Sequence, residues 1–172
     1  MIIIREAREA DLPKLLAIYN HVILNTTAVY TYEAQTLEAR AAWYRDKLAA
    51  GYPVFVAEEA AQVVGFSSYG PFRAWPAYKY TIENSVYVTE GQRGKGIGKL
   101  LIRPLIDSAK AKGYHAIIAG IDSANDASIR LHASFGFREV AHFREVGYKF
   151  GRWLDLSFME LLLDTPAHPT EG

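Results

Sequence analysis

The middle of the chain reads Val86-Tyr87-Val88-Thr89-Glu90-Gly91-Gln92-Arg93-Gly94-Lys95-Gly96-Ile97-Gly98-Lys99-Leu100-Leu101. It begins like an apolar strand and ends like a helix, and between the two lie Gly94, Gly96 and Gly98, one at every second position. Glycines at this spacing do not fit the core of a strand, and each would destabilise the interior of a helix. We therefore expect a turn whose backbone N–H groups approach a bound group at a helix N-terminus, where unpaired donors and a partial positive charge favour phosphate.

The composition predicts one globular domain with a full hydrophobic core. Of the 172 residues, 50% are hydrophobic and 13% are aromatic, which is not typical of a disordered chain. Lysine plus arginine and aspartate plus glutamate both number 19, so the formal net charge is zero. Proteins that bind nucleic acid or membrane surfaces through charge carry an excess of basic residues. We therefore expect neither nucleic acid nor a membrane among the partners.

Several classes of site and location are disfavoured by what the sequence lacks. The chain has no cysteine, which excludes disulfides, thiolate metal ligands and a cysteine nucleophile. Its histidines and carboxylates form no cluster typical of a metal site, so we expect no metal. No apolar run approaches the roughly 18 residues of a membrane span. Arg5, Glu6 and Arg8 directly follow the first apolar residues, which is not typical of a signal peptide, and we expect a cytoplasmic protein.

The periodicity of the apolar residues predicts a single α+β domain. Short apolar or alternating runs predict strands at residues 2–5, 54–58, 63–69, 80–88, 117–121, 137–142 and 154–163. Helical spacing predicts helices after the caps Asp11 and Thr36 and a third helix from Ile97 to Gly113. A fourth, short helix would end at Gly136, with Asn125, Asp126 and Ser128 as possible caps. We expect residues 70–79 to form a loop, residues 1–164 to form the domain, and residues 165–172 to form a flexible tail.

The position of the glycine turn along the chain separates the possible phosphate sites. A dinucleotide-binding fold has its glycines after the first strand, whereas this turn follows several strands and helices. The GxxxxGK[ST] spacing of a P-loop is also missing. Arg93-Gly94-Lys95-Gly96-Ile97-Gly98 after a Val-x-Val strand instead resembles the acyl-CoA motif of the GNAT superfamily of N-acetyltransferases. Residues 125–137 resemble its second block, an asparagine followed by a short helix and Gly-Phe.

Three blocks narrow the resemblance within that superfamily. They are Thr81-Ile82-Glu83-Asn84-Ser85-Val86-Tyr87-Val88, Ser128-Ile129-Arg130-Leu131-His132 and Val146-Gly147-Tyr148-Lys149-Phe150-Gly151-Arg152-Trp153-Leu154-Asp155. Each is similar to a block of the phosphinothricin and methionine sulfoximine acetyltransferases, which acetylate the α-amino group of small amino-acid analogues. The resemblance implies a central, mostly antiparallel twisted sheet flanked by helices, with a splayed strand pair that binds acyl-CoA.

The resemblance also implies which residues hold acetyl-CoA, the expected co-substrate. The backbone of Val86, Tyr87 and Val88 would pair with the pantetheine arm like an added strand. The pyrophosphate would be held by the N–H groups of the turn, those of Arg93, Gly94, Lys95, Gly96, Ile97, Gly98 and Lys99, and the basic side chains among them would add positive charge. Asn125 would contact the arm with its amide. Solvated surface charge explains Lys95 and Lys99 equally well, and a helix cap explains Asn125.

The implied reaction is attack of a neutral amine on a thioester. It needs a base, because an α-amine is mostly protonated at neutral pH. Glu83 is the candidate, since family members share a glutamate here and a carboxylate in an otherwise apolar strand is costly to bury unless it is used or paired. It would act directly or through a water molecule. A structural salt bridge or an outward-facing strand position is the alternative for Glu83.

Two further groups would assist the transfer. Backbone N–H groups near residues 86–88 would stabilise the oxyanion, because a strand bulge there leaves them unpaired. His132 replaces the tyrosine that many superfamily members carry before Gly-Phe, in agreement with the phosphinothricin subgroup, and a histidine can shuttle a proton to the leaving thiolate near neutral pH. A packed or capping histidine is the alternative role. The sequence leaves the identity of the general acid open.

The acceptor is expected to bind at the loop of residues 70–79. Arg73 could form a paired clamp with a substrate carboxylate. Phe72, Trp75 and Tyr30 could wall an apolar pocket, or the aromatic side chains could simply pack on the sheet. The substrate-binding residues predicted from the residues and the resemblance together are Arg73, Ala74, Trp75, Glu83, Asn84 and Ser85.

These observations predict an acetyl-CoA-dependent N-acetyltransferase that acts on a small amino acid or analogue. Transfer would be direct, in a ternary complex, because no cysteine exists to carry an acyl group. One rival is acetylation of a protein N-terminus, a lysine or a small amine, although the bulky loop predicts a closed pocket. The other is a non-catalytic acyl-CoA-binding module, which the presence of Glu83 and His132 disfavours. The resemblance implies a homodimer built with the aromatic segment at residues 151–153. The physiological acceptor stays open.

Overall fold

The computed structural model describes residues 1–171 and has a mixed α+β architecture, as the sequence predicts. Within those residues the strands are β1 (Ile2–Glu6), β2 (Val54–Glu59), β3 (Gln62–Pro71), β4 (Thr81–Val88), β5 (Ala116–Asp122), β6 (Arg138–Lys149) and β7 (Arg152–Leu162). The α-helices there are α1 (Leu12–Asn25), α2 (Leu37–Ala49), α3 (Ile97–Ala111) and α4 (Asp126–Ala133). Short 3-10 turns span Glu9–Asp11 and Pro76–Tyr78.

The chain divides into two compact units, and β4 contributes to both. The first unit contains residues 1–69 and 85–105, and its strands follow the order β1-β2-β3-β4. The second contains residues 70–84 and the described residues from 106 onwards, in the order β4-β5-β7-β6. Strand pairs are antiparallel at β1–β2, β2–β3, β5–β7 and β6–β7, and parallel at β4–β5. The mostly antiparallel sheet is therefore confirmed.

Two apolar cores hold the first unit together. Val54, Val56 and Phe66 are buried with the apolar side chains of α1 and α2. Ala57 and Val64 are buried with the first residues of α3. Because successive strand side chains point to opposite faces, α1 and α2 cover one face of these strands and the start of α3 covers the other.

Gly65 in β3 permits a close approach that positions the turn before α3. A Cβ atom at Gly65 would lie 2.8 Å from the carbonyl oxygen of Tyr87 and 3.1 Å from the Cδ1 atom of Leu101. Only a residue without a side chain leaves space for both groups. Glycine at this position therefore brings the end of β4 and the start of α3 close to β3.

The caps of the first two helices differ from each other. Thr36 caps α2 as predicted, since its Oγ1 atom accepts a hydrogen bond from the Ala39 N–H group at 3.1 Å. Asp11 precedes α1 as predicted, but its side chain does not cap that helix. Its carboxylate instead accepts hydrogen bonds from the backbone of Arg8 (2.7 Å) and the guanidinium of Arg5 (2.7 and 2.9 Å). Asp11 thus ties the preceding 3-10 turn to β1.

Strand β5 lies at the centre of the second unit and is largely buried. Its ladder with β7 runs from Ala116–Leu162 to Asp122–Leu156. Its parallel ladder with β4 is much shorter and runs only from Thr81–Ala116 to Glu83–Ile118. The two strands of this short ladder stop pairing at Glu83, the residue that the sequence predicts to be the base.

The loop predicted at residues 70–79 begins later than expected. Strand β3 continues to Pro71, and the backbone N–H group of Phe72 still donates to the carbonyl oxygen of Thr81 at 3.4 Å. Proline and glycine near this strand end suggested a loop from the sequence. Backbone pairing overrides that local preference, and the loop is confined to residues 72–80, which we call the aromatic loop.

The closing strands are longer than predicted. Strands β6 and β7 form one hairpin that turns at Phe150 and Gly151, both of which have positive φ. The pairing changes register between Phe143 and Gly147. Charged residues and a glycine in that irregular stretch interrupt the apolar alternation, so the sequence pattern ended the first strand too early.

The predicted domain of residues 1–164 and the predicted flexible tail of residues 165–172 stay predictions. Thr165 donates its hydroxyl to the carbonyl oxygen of Tyr114, and the backbone N–H group of Thr170 donates to the Tyr80 hydroxyl at 2.9 Å. The last residue of the predicted tail, Gly172, lies outside the described residues. Among residues 1–171, no helix is both long enough and apolar enough to cross a membrane.

Candidate functional site

The glycine turn (residues 91–98) connects β4 to α3 in the first unit. Gly94 and Gly96 have φ values of +81° and +79°, which residues with a side chain rarely adopt. A Cβ atom at either position would meet nothing within 4 Å, so packing inside the chain does not require glycine there. Alternation of such glycines with ordinary residues turns successive N–H groups towards one side, which is the geometry of an anion-binding nest. The turn therefore presents an open backbone where the sequence predicts phosphate binding.

The basic residues of the turn differ in what they offer a ligand. The side chains of Arg93, Lys95 and Lys99 are all exposed. Lys95 donates to the side-chain oxygen of Gln92 at 2.6 Å, which holds its ammonium group within the turn. The backbone N–H group of Lys99 donates to the carbonyl oxygen of Gly96 at 3.0 Å, so it belongs to the first turn of α3. The contact predicted between the Lys99 N–H group and pyrophosphate stays a prediction, and the exposed side chain of Lys99 also lies at this turn.

The side chains at residues 86–88 are occupied by packing in the first unit. Val86 and Val88 pack on the core that contains Ile97. The ring of Tyr87 packs on those of Tyr19 and Phe66, with centroids 5.3 and 5.1 Å away. The backbone is therefore the part of these residues that a ligand could pair with.

Glu83 lies half-buried at the last residue pair of the β4–β5 ladder, opposite Ile118. Its carboxylate lies over Gly120 of β5, because a Cβ atom at Gly120 would be 3.1 Å from Glu83 Oε1 and 3.2 Å from the ring of Phe158. The lack of a side chain at residue 120 leaves the space that the carboxylate occupies beside the aromatic ring. A half-buried carboxylate at the point where two strands stop pairing is suited to take a proton from a bound group.

Asn84 and His132 form a hydrogen-bonded pair between β4 and α4. The Nδ2 atom of Asn84 lies 3.1 Å from Nε2 of His132, and Nδ1 of His132 lies 2.9 Å from the carbonyl oxygen of Ser128. Because a carbonyl only accepts, Nδ1 carries the proton of the neutral ring and Nε2 is the acceptor. Asn84 must therefore direct its NH₂ group at the ring. Its Oδ1 atom is buried and has no hydrogen-bond partner among residues 1–171.

Burial keeps the ring of His132 neutral. The residue is 4% exposed and packs edge-on against the ring of Phe137, with centroids 5.0 Å apart. Desolvation lowers the pKa of His132 below its usual range, and the hydrogen bond to the Ser128 carbonyl opposes this shift. Its single ring proton is engaged by Ser128 and its free lone pair by Asn84. This geometry does not favour the proton-shuttle role that the resemblance implies for His132.

Asn125, one of the caps that the sequence offers, is the residue that caps α4. Its Oδ1 atom accepts a hydrogen bond from the backbone N–H group of Ser128 at 3.2 Å. The cap starts the helix at Asp126, and this register places the Ser128 carbonyl one turn before His132. The predicted contact between Asn125 and acyl-CoA stays a prediction.

The aromatic loop packs on β7 within the second unit. The ring of Phe72 lies edge-on to that of Phe158, with centroids 6.0 Å apart. The guanidinium of Arg73 stacks over Phe72, with its carbon 5.0 Å from the ring centroid. Phe158 also borders the carboxylate of Glu83 through Gly120, as described above. Arg73 and Glu83 are therefore linked by two aromatic rings.

The other predicted acceptor residues occupy different surroundings. Ala74 and Trp75 are both exposed in the aromatic loop, and Trp75 is 68% exposed. Neither side chain therefore packs on the sheet. Ser85 is half-buried on β4 and belongs to the first unit. Tyr30 also belongs to the first unit and is 39% exposed. Of the predicted wall residues, Phe72 alone is placed in the aromatic cluster described here.

Two residues and one hydrogen bond of this site were missed by reasoning from the sequence. Gly120 interrupts an apolar strand, and a glycine in a strand interior is a sign of a close approach, so it could have been found. Phe158 carries no such signal. The bond between Asn84 and His132 joins residues 48 positions apart and forms only through the packing of α4.

Two histidines outside this site pair with carboxylates. His21 pairs with Glu90 at 2.9 Å, and His142 pairs with Asp155 at 3.2 Å, both at partly exposed positions. Within the described part of the chain, no group of three or more histidine and carboxylate side chains could hold a metal ion.

Comparison with known proteins places these features in a family context. The model of the acetyltransferase (GNAT) domain matches residues 4–158. An L-methionine sulfoximine/L-methionine sulfone acetyltransferase from Salmonella typhimurium is 47% identical over 166 residues, which cover 96% of this chain and 97% of that protein. A phosphinothricin N-acetyltransferase from Streptomyces coelicolor is 41% identical over 160 residues, which cover 91% of this chain and 94% of that protein.

Solved structures show the same likeness. A GNAT superfamily phosphinothricin acetyltransferase from Sinorhizobium meliloti, in complex with acetyl-CoA, has a TM-score of 0.94 and 36% sequence identity to this chain. The match covers 99% of this chain and 94% of that one. The similarity in sequence and in fold therefore extends over nearly the whole length of the protein.

Proposed function

Since this chain belongs to the GNAT family of acetyltransferases, we propose that it transfers the acetyl group of acetyl-CoA to the α-amino group of a small free amino acid or amino-acid analogue. The favoured acceptors are of the methionine sulfoximine, methionine sulfone or phosphinothricin type, for which its relatives are named. The observation that carries the proposal is the half-buried carboxylate of Glu83, placed beside an aromatic cluster and three residues before the Val-Tyr-Val segment of the same strand.

The residues of the first unit fit acetyl-CoA. The space in front of Gly94 and Gly96 would admit a pyrophosphate against the backbone, and the exposed Arg93 and Lys95 would add positive charge. The backbone of residues 86–88 would pair with the pantetheine arm. Acetyl-CoA supplies an activated acyl group on a thiol that leaves readily. The protein therefore needs to orient the thioester and to take a proton from the acceptor amine.

Glu83 is proposed to act as the general base. It takes a proton from the acceptor amine, directly or through a water molecule, as the new N–C bond forms and the C–S bond of the thioester breaks. Backbone N–H groups near residues 86–88 would donate to the carbonyl oxygen as negative charge develops on it. The sequence contains no cysteine for a covalent acyl-enzyme, which favours direct transfer within a ternary complex.

The aromatic loop is proposed to select the acceptor. Arg73 would bind the α-carboxylate in a bidentate manner, because its planar guanidinium matches a carboxylate and already lies over the ring of Phe72. The rings of Phe72 and Phe158 would contact the acceptor side chain. A carboxylate clamp and a base joined by this short aromatic wall suit an acceptor that carries its amine and its carboxylate on one carbon. A protein N-terminus or a lysine side chain lacks that pair, which makes these acceptors the second choice.

We further propose a cytoplasmic homodimer. Support for the dimer comes from exposed apolar side chains on the β6–β7 hairpin, namely Val140, Phe143, Val146, Tyr148, Phe150 and Trp153, of which each is at least 42% exposed. A second copy that presents the same exposed apolar and aromatic side chains would cover them. The dimer is tested by sedimentation of the wild-type chain and of Trp153→Glu, which should shift to monomer. The need for acetyl-CoA supports the cytoplasm.

The function is tested by measuring CoA release with acetyl-CoA and a panel of acceptors. The panel contains free amino acids, methionine sulfone, methionine sulfoximine and phosphinothricin, together with the methyl esters of their α-carboxylates and a short peptide with a free N-terminus. We expect turnover with the free acids, weak turnover with the esters and almost none with the peptide. Tight binding of acetyl-CoA without turnover on any free amino acid would overturn the proposal.

A further inference from the structure

The amide of Asn84 has a buried oxygen that the proposed transfer does not yet use. The side chain is 8% exposed, and Oδ1 has no hydrogen-bond partner within residues 1–171. Buried carbonyl oxygens are rarely left without a donor, because they lose their bonds to water on folding. A ligand that brings an N–H group to this position would satisfy the oxygen.

We infer that Asn84 Oδ1 accepts a hydrogen bond from an amide N–H group of the pantetheine arm of acetyl-CoA, and that His132 is the positioning residue that holds the Asn84 amide in this orientation. This role rests on the proposed function, since it presumes that acetyl-CoA is the co-substrate. It adds a side-chain contact to the backbone pairing proposed for residues 86–88, and it gives His132 a task that involves no proton transfer.

A chain of two hydrogen bonds fixes which end of the Asn84 amide faces the ligand. The Ser128 carbonyl requires a proton on Nδ1 of His132, which leaves Nε2 as an acceptor. Nε2 in turn requires the NH₂ group of Asn84. A reversed amide would set its oxygen against the lone pair of Nε2. The ring thus works as a fixed acceptor, and the amide oxygen is left on the side away from α4.

The alternation of side chains along β4 favours the pantetheine arm over the acceptor amine as the donor. Glu83 and Asn84 are neighbours on a strand, so their side chains point to opposite faces. Glu83 lies against Gly120 and Phe158, whereas Asn84 faces α4. An amine that gives its proton to Glu83 lies on the Glu83 face. The pantetheine arm carries two amide N–H groups and is the ligand expected along the edge of this strand.

The surroundings of His132 agree with a neutral positioning residue. Its described contacts are the amide of Asn84, the carbonyl and hydroxyl of Ser128 and the ring of Phe137, none of which carries a charge. A protonated ring would need an acceptor at both nitrogens, and the NH₂ group of Asn84 is not an acceptor. Protonation of His132 would therefore force the Asn84 amide to turn over.

Binding of the free protein to two probes tests the contact of Asn84. Isothermal titration calorimetry is performed with acetyl-CoA and with adenosine 3′,5′-bisphosphate, which lacks the arm. We expect Asn84→Ala to raise the Kd of acetyl-CoA roughly tenfold, the effect of one lost hydrogen bond, and to leave the Kd of the nucleotide unchanged. The matched control, Asn25→Ala at an exposed helix end, should change neither value. An unchanged Kd for acetyl-CoA, or a rise only in the KM of the amino acid, would overturn the inference.

The role of His132 is tested by nitrogen NMR of its ring and by three variants. We expect Nδ1 to carry the proton and Nε2 to be unprotonated in the free protein at pH 8, since Ser128 accepts from Nδ1 and Asn84 donates to Nε2. Asn84→Asp keeps an oxygen for the ligand and should recover most of the acetyl-CoA affinity, while its carboxylate should draw a proton onto Nε2. His132→Gln retains an acceptor that does not titrate, so its Kd for acetyl-CoA should stay closer to wild type than that of His132→Ala, which removes the acceptor for the Asn84 amide. A loss of 100-fold or more in kcat with an unchanged Kd would identify His132 as the proton donor.

These measurements separate the inference from the proposed function. A wild-type protein that binds acetyl-CoA but acetylates no amino acid would overturn the function, while the binding data would still decide the contact of Asn84. A wild-type protein that acetylates amino acids, combined with an Asn84→Ala variant that binds acetyl-CoA normally, would overturn only the inference.

Discussion

The glycine turn and the Asn84–His132 pair differ in their exposure to solvent and in the groups that they offer to a ligand. The turn is exposed, uses main-chain groups, and depends on the positive φ of Gly94 and Gly96. The pair is buried, uses side chains, and leaves one oriented oxygen without a partner. An exposed backbone suits the charged end of a cofactor, which stays near water. A buried, oriented amide suits the neutral arm that lies next to the reacting groups.

The largest expected effect comes from Glu83→Gln. This variant should lose acetyl transfer and keep the binding of acetyl-CoA at the glycine turn. Loss of a general base lowers rates by roughly 100- to 10,000-fold, so we expect kcat to fall at least 100-fold. The Kd of acetyl-CoA should stay within about twofold, because the substitution leaves the glycine turn and the backbone of residues 86–88 unchanged. Steady-state kinetics and calorimetry measure both values. Glu38→Gln, at an exposed position of α2, is the control. Unchanged turnover near neutral pH would remove Glu83 as the base.

The reverse separation is expected from Gly96→Ala. A side chain at positive φ costs about 1–2 kcal/mol in folding, and here its Cβ atom would also occupy the space left for phosphate. Gly51→Ala is a matched control, because Gly51 has φ of +75° and equally open surroundings but lies after α2. We expect both variants to lose similar stability in urea denaturation. Only Gly96→Ala should raise the Kd of acetyl-CoA, about tenfold. Equal affinities of the two variants for acetyl-CoA would contradict the proposal that the glycine turn binds its pyrophosphate.

A third variant examines the side of the site that faces the acceptor. Replacing Arg73 by glutamine keeps the length of a polar side chain but removes the charge and the bidentate geometry. We expect the KM of a free amino acid to rise roughly tenfold, as for the loss of one charge-assisted hydrogen bond, with the Kd of acetyl-CoA unchanged. Arg138→Gln, at an exposed position of β6, is the control. If the methyl ester and the free acid respond to the variant equally, Arg73 does not bind the carboxylate.

The smallest expected effect is a pH dependence of stability caused by His132. Burial lowers its folded-state pKa below the ordinary value of 6.5, so the unfolded chain takes up a proton first as the pH falls. The contribution to the free energy of unfolding is fully present above about pH 6.5 and is lost as the pH falls through the folded pKa. Urea denaturation at several pH values should show that wild type loses more stability on acidification than His132→Gln. A constant difference between the two proteins would contradict a buried neutral ring.

The first region could be predicted from the sequence because its signals are local. Three alternate glycines between a strand and a helix predict the turn. Local signals also work elsewhere in the chain, since Thr36 and Asn125 cap α2 and α4. Asp11 shows the limit of such signals, since the Arg5 guanidinium competes for its carboxylate. Pro71 is a second case in which a local signal misleads, because strand pairing extends β3 to this residue although the sequence predicts a loop there.

The second region could be predicted only in part because its contacts are long-range. Glu83, Asn84 and His132 were singled out through the resemblance, but their partners follow from tertiary packing. The tautomer of His132 depends on Ser128 one turn away, and the free oxygen of Asn84 depends on that tautomer. The placement of the Glu83 carboxylate depends on Gly120 and Phe158. Of these dependences, only the one on Gly120 leaves a local sign, a glycine within an apolar strand.

One competition experiment tests the central claim most directly. The wild-type protein is given acetyl-CoA and an equimolar mixture of methionine sulfone and a short peptide with a free N-terminus, and the products are identified by mass spectrometry with time. We predict that N-acetyl methionine sulfone accumulates first and that Glu83→Gln suppresses its formation at least 100-fold. Acetylation of the peptide in preference to the free amino acid would contradict the proposal of a small α-amino acid as the acceptor.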